Sequence, residues 1–125
     1  MRVVLGYKFD SRQALSEFAE SLGAGGVTLT SLISKNLKSS VEQYLFENRE
    51  SVDAVVAMEH LESLSPYTIA DFVRLTDIKD RLIIIPVIDD SHKGDEYVRQ
   101  LYNEGIVNAL FASDASIANI GKLLL

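Results

Sequence analysis

Four carboxylates in this chain stand just past apolar runs: Asp10 beyond Val3-Val4-Leu5, Glu59 directly after Ala54-Val55-Val56-Ala57-Met58, and Asp89 and Asp90 after Leu82–Val87. Apolar runs of that length read as strands buried in a parallel sheet, and residues just beyond their carboxyl ends gather on one rim. Three or four carboxylates gathered there would hold Mg²⁺ or Ca²⁺, which prefer oxygen ligands. Each also has a plainer reading: Asp10 caps a helix, Asp89 and Asp90 shape a loop, and Glu59 is solvated. The ordinary role of such residues at caps and turns favours the plainer set, so no cofactor is expected.

The remaining chemistry is sparse. His60 and His92 are the only histidines and fall on the same rim, but two histidines without fixed spacing are a weak metal signal, and no suitable nucleophile stands beside either. Gly23–Gly26 (GAGG) follows a helix and precedes a strand, whereas phosphate cradles run from strand to helix, so it is a turn. The loop Tyr7–Asp10 has a single Lys8 and no glycine, which disfavours a bound nucleotide. Neither GxxxxGK[ST] nor the D-x-H-x-x-G stretch of cobalamin sites is present.

The elements that position these residues alternate in type. Arg2–Gly6 is a first strand. Asp10 with Gln13 forms a capping-box pattern for a helix whose Leu15, Phe18, Ala19 and Leu22 share one face, ended by Gly23, Gly25 and Gly26. Val27–Ile33 alternates like an edge strand. Ser39 and Glu42 form a second capping box for a helix that runs to about Ser51 and is lined by Val41, Tyr44, Leu45 and Phe46. Val52–Leu61 holds the central strand. Ser65-Pro66 reads as a helix start, with Ile69, Phe72, Val73 and Thr76 in period and an end near Lys79. Leu82–Val87 is a strand ended by Pro86, and Asp89–Gly94 a polar loop. Asp95–Glu104 is a helix with Val98, Leu101 and Tyr102 inward, stopped by Gly105. Val107–Ala112 is a fifth strand. Ser113 or Asp114 caps a last helix whose Ile117, Ile120 and Leu124 face the sheet. Strand and helix alternating five times predict a parallel sheet covered on both faces, the flavodoxin-like α/β class with strand order 2-1-3-4-5.

At 125 residues, 47% hydrophobic and 24% charged, the chain reads as a single globular domain spanning 1–125. Its charge of −6, with scattered basic residues, argues against a nucleic-acid partner. No cysteine, no signal-peptide pattern and no membrane-length apolar run lead to the expectation of a cytoplasmic protein without a membrane segment.

Over its whole length the sequence resembles the CheY-like receiver domain of two-component signalling. The resemblance rests on element order, on Val52–Met58 (VDAVVAM) beside the receivers' D-x-V-x-x-D strand, and on Gly105–Ala112 (GIVNALFA) beside their G-A-x-D-Y-L-x-K segment; Asp53 and Gly105 match in kind. A working receiver needs an acidic pair, an acceptor aspartate, a Ser or Thr, and a Lys. Here the acidic pair falls on Gly6 and Tyr7, or on Tyr7 and Lys8 if shifted by one. The acceptor position falls on Met58, the Ser/Thr at about Val87, and the Lys on Ala112. Phosphoryl transfer works by placing charge around the transferring group, and a thioether accepts no phosphoryl group.

The pattern is similar to the atypical receivers at the N-terminus of TadZ/CpaE-type ParA/MinD-like pilus-assembly ATPases. That resemblance implies a non-enzymatic signalling module acting through protein contact, as a homodimer or docked on a partner or attached effector. The apolar ending Leu123-Leu124-Leu125 leads to the expectation that the chain is the N-terminal part of a longer protein. The face with which receivers pair would expose Lys93, Glu96, Arg99, Asn103 and Asn119, with Tyr97 as aromatic anchor. A second reading keeps a cation or small ligand at the carboxyl rim, or has Glu59 mimic a permanently charged state.

Overall fold

The computed structural model describes residues 1–125. Five strands, β1 Arg2–Gly6, β2 Ser31–Lys35, β3 Ala54–Met58, β4 Ile83–Ile88 and β5 Leu110–Phe111, alternate with helices α1 Arg12–Ala24, α2 Lys38–Glu47, α3 Ile69–Thr76, α4 Tyr97–Asn103 and α5 Ile117–Leu124. Every strand pair is parallel and the order is β2-β1-β3-β4-β5, so the flavodoxin-like α/β class expected from the sequence is the observed fold.

Alternation along the strands divides the interior in two. Val3, Leu5, Ala54, Val56, Ile85 and Val87 pack against Phe18 and Leu22 of α1 and Ile120 and Leu124 of α5. Val4, Val55, Ala57, Ile84 and Ile88 pack on the opposite face against Val41 and Leu45 of α2, Phe72 and Leu75 of α3, and Leu101 of α4. Each face uses residues of one parity, as the twofold period of a strand requires.

The helix starts differ from the expected ones. Ser11, not Asp10, caps α1, its hydroxyl accepting from Ala14 N–H at 3.1 Å. Ser39 lies inside α2, which has Leu37 at its N-cap and no side-chain cap; Lys38 N–H donates instead to the Glu62 carboxylate at 2.8 Å. Thr68 and Asp71 form the reciprocal capping box of α3, displacing the Ser65-Pro66 start, and α3 ends at Thr76 rather than near Lys79. Ser116 caps α5, displacing Ser113 and Asp114, which lie in a 3₁₀ turn. Many short polar residues satisfy a local cap pattern. The one used is the one whose helix turns its apolar stripe to the sheet.

Three strands also shift. β2 begins at Ser31 rather than Val27, because Val27 is drawn under α1, its N–H donating to Leu22 C=O. β5 shrinks to two residues. Pro86 lies inside β4, opposite Ala57 of β3, instead of ending the strand. Ile83 donates to Asp53 on the β3 side, and strand N–H groups alternate sides. Position 86 therefore faces the β5 side, where the ladder starts only with Leu110 opposite Val87, so proline forfeits no bond.

Candidate functional site

The carboxyl rim of the sheet is split by the sheet plane into two unlike halves. On the α1/α5 side lie most of the positions that correspond to receiver chemistry. The Tyr7 ring stacks on Phe9 at 5.8 Å and meets Phe18 edge-on at 5.7 Å, and Phe9 meets Phe18 at 5.7 Å. Met58 and buried Val87 belong to the same apolar cluster. Burial pushes the Tyr7 hydroxyl up to about 12, so it stays neutral. Gly6 ends β1 where a Cβ would come within 3.3 Å of Ala57 Cα and 3.4 Å of Leu61, so the close approach of β3 leaves a side chain there little room. Ala112 is exposed beyond β5, in the turn Ala112–Asp114.

The α3/α4 side holds the rim's buried charge. Glu59 continues the parity of Val55 and Ala57, which turns its side chain inward. The residue is only 7% exposed, which corrects the expectation that it is solvated. Its N–H donates to Val87 C=O at 2.8 Å, and its own C=O accepts from Tyr67 N–H at 2.7 Å. The carboxylate accepts from Asp89 N–H at 2.8 Å through Oε1 and lies 2.9 Å from His92 Nε2 through Oε2. His92 Nδ1 is 3.2 Å from Asp95 Oδ2, and the imidazole stacks on Tyr97 with centroids 3.8 Å apart.

Burial lowers the affinity of His92 for a proton, but the bonds to Glu59 and Asp95 outweigh it and hold the pKa above the ordinary value. Both ring nitrogens face carboxylates, the arrangement an imidazolium satisfies. With no free lone pair, His92 is an electrostatic clamp between β3, β4 and α4 rather than a general base.

The four candidate carboxylates are not brought together as a cation site. Glu59 is committed to His92. Asp89 accepts from Ser91 N–H at 2.8 Å and lies 3.7 Å from His60, while Asp90 accepts from Ser113 N–H at 3.0 Å. Those amide bonds hold both aspartates below the usual carboxylate range. Asp10 is exposed in the β1–α1 loop, and no three His, Asp or Glu side chains are grouped to hold a metal.

Of the expected interface residues, Lys93, Glu96, Arg99 and Asn103 are exposed. Glu96 and Arg99 pair at 3.4 Å, and Lys93 donates to Ser113 Oγ at 2.9 Å. Asn119 is half-buried, its side-chain amide donating to Asp114 C=O. The two tyrosines of α4 exchange their expected places. Tyr97 packs inward with its hydroxyl buried, whereas Tyr102 is 62% exposed and sits near exposed Val107 in sequence. The inward stripe runs through Tyr97, Val98 and Leu101, leaving Tyr102 past its edge.

Fold and site together define a flavodoxin-like α/β domain whose rim carries an aromatic plug on one face and a carboxylate–imidazole clamp on the other. The chain matches no family model, and no curated protein or solved structure is significantly similar to it. No helix is long and apolar enough to cross a membrane.

Proposed function

We propose that this chain is a receiver-like regulatory module that accepts no phosphoryl group and acts through protein contact in the cytoplasm, as a homodimer or docked on a partner or effector. The observation that carries this reading is the aromatic plug. Tyr7, Phe9, Phe18 and Met58 fill the rim where a receiver would collect Mg²⁺ and phosphate, and the adjacent Glu59 is consumed by His92. Transferring a phosphoryl group needs fixed charge at that point, and an apolar cluster supplies none.

Contact is then the remaining task. The α4 segment exposes Tyr102 together with Arg99, Glu96 and Asn103, an aromatic side chain among polar ones, the composition that interfaces favour. In kind such a module would resemble the atypical receivers of TadZ/CpaE-type pilus-assembly ATPases. Two measurements test the reading. Incubation with acetyl phosphate and Mg²⁺ should give no mass increase, and a one-phosphoryl adduct would overturn the proposal. Sedimentation over a concentration series should show self-association that Tyr102→Glu abolishes; a monomer throughout removes the homodimer and leaves the docked form.

A further inference from the structure

In the order β2-β1-β3-β4-β5, β2 pairs only with β1, and its outer edge is free; the opposite edge strand, β5, has two residues. Arg2 C=O accepts from Asp53 N–H at 2.9 Å and Arg2 N–H donates to the Asp53 carboxylate, so Arg2 turns its backbone toward β3. By alternation Val3 and Leu5 turn theirs toward β2. A residue in a parallel ladder bonds the two neighbours of its partner. With Val3 opposite Leu32 and Leu5 opposite Ser34, the groups used on β2 are those of Ser31, Ile33 and Lys35. The N–H and C=O of Leu32 and Ser34 point away from the sheet, and no loop or side chain bonds to them.

Sheet edges are ordinarily guarded by shortness, proline, a bulge or charge, and β5 has the first of these. β2, SLISK, has a single charge, and the Lys35 ammonium is drawn aside over the Tyr44 ring, 5.2 Å from its centroid. Ile33, at the middle of the strand, is half-buried yet packs on neither core cluster. Its partner in β1, Val4, belongs to the cluster under α2 and α3, so Ile33 stands on that face at the margin of the sheet. Leu37, two residues past the strand, is 48% exposed.

We propose that β2 pairs antiparallel with β2 of a second copy of this chain, about a twofold axis at Ile33. That register sets Leu32 opposite Ser34 of the second copy and Ser34 opposite its Leu32, so every outward N–H and C=O of one strand meets one from the other. Ile33 faces itself in the closely spaced non-bonded pair, which covers the apolar side chain that the core leaves out, and Lys35 meets Ser31 rather than a like charge. An axis at Leu32 would set Ile33 against Ser31, and one at Ser34 would set it against Lys35. The strand thus satisfies itself best about its own centre, which favours a second copy over an unrelated extended segment. With β5 too short to pair, growth stops at two copies. This contact is separate from the α4 association that Tyr102→Glu removes, so either can fail without the other.

Cross-linking reads this contact in a chain with no cysteine of its own. The Cα atoms of a non-bonded antiparallel pair lie about 4.5 Å apart, within disulfide range, so Ile33→Cys should form a disulfide-linked dimer under mild oxidation. Ser34→Cys should not, because the two copies of position 34 lie on a diagonal, about 7–8 Å apart. Both results should be the same in the Tyr102→Glu background. Ser34→Pro deletes an N–H that points away from β1, so it keeps the sheet, and in sedimentation of the Tyr102→Glu chain it should raise the Kd of the pair about tenfold. Equal cross-linking from Ser34→Cys, or an association unchanged in Ser34→Pro, would overturn the proposal. Absence of a cross-link from Ile33→Cys would do the same and leave the edge to an extended segment of another protein.

Discussion

Glu59 and His92 lie 33 residues apart in sequence and meet at 2.9 Å, joining the end of the central strand to the turn after β4. The Glu59 side chain is 9% exposed and that of His92 20%, so water shields the pair only in part. Removing one partner of a buried pair leaves an uncompensated charge, which costs about 3–5 kcal/mol when burial is complete.

His92→Ala should therefore destabilise the fold toward the lower end of that range, about 3 kcal/mol, read from the urea midpoint. Glu59→Gln should cost less, because the amide still accepts from Asp89 N–H. A double-mutant cycle isolates the pair, and a coupling near zero would show that His92 contributes only its stacking on Tyr97.

The same pair sets a pH dependence. The folded-state pKa of His92 is raised above its ordinary value of 6.5, so between the two values the folded chain holds more proton than the unfolded one. The contribution is complete below about 6.5 and fades as pH rises through the folded pKa. Among the groups facing His92, Asp95 opposes this at low pH. Asp95, held down first by Tyr97 N–H, adds stability that is present above the ordinary carboxylate value and lost as pH falls through its depressed pKa. Urea midpoints from pH 6 to 9 should fall for the wild type and fall less for His92→Gln; equal slopes would remove His92 as the cause.

Much of this was legible beforehand, and the limit is instructive. The topology follows from element order and the apolar runs, because a parallel sheet has few ways to bury them. Parity along β3 also held the position of Glu59: Val55 and Ala57 face the α3/α4 side, so the next odd residue does too. Its partner was not legible, because His92 arrives from a different loop and no spacing rule links positions 59 and 92.

Two tyrosines carry hydroxyls that are buried without a partner, Tyr97 beside His92 and Tyr67 stacked on Phe72 at 4.8 Å. Burial first, and neighbouring carboxylates next, push both phenols well above their usual range. A buried unsatisfied hydroxyl costs about 1–3 kcal/mol, and phenylalanine keeps the ring. Tyr67→Phe and Tyr97→Phe should each leave the melting temperature unchanged or raise it by a few degrees. A marked fall for either would show that its hydroxyl has a hydrogen-bond partner in solution.

Competition among helix starts gives the sharpest contrast between pattern and structure. Ser65-Pro66 matches a helix start on local grounds, yet Thr68 and Asp71 exchange bonds of 3.1 and 2.9 Å, and Asp71 also accepts from Lys38 of α2 at 3.0 Å. The Thr68 box thus caps α3 and ties it to α2, while Ser65 receives only a bond from the Lys38 ammonium at 3.2 Å. Thr68→Ala should cost about 1 kcal/mol, the usual value of an N-cap, whereas Ser65→Ala should stay within about 0.5 kcal/mol of wild type. Asp71→Ala should cost more than either, because it removes the other half of the box and leaves the half-buried Lys38 without its carboxylate. Chemical denaturation of the three variants checks the ranking, and a larger loss for Ser65→Ala than for Thr68→Ala would place the helix start back at Ser65.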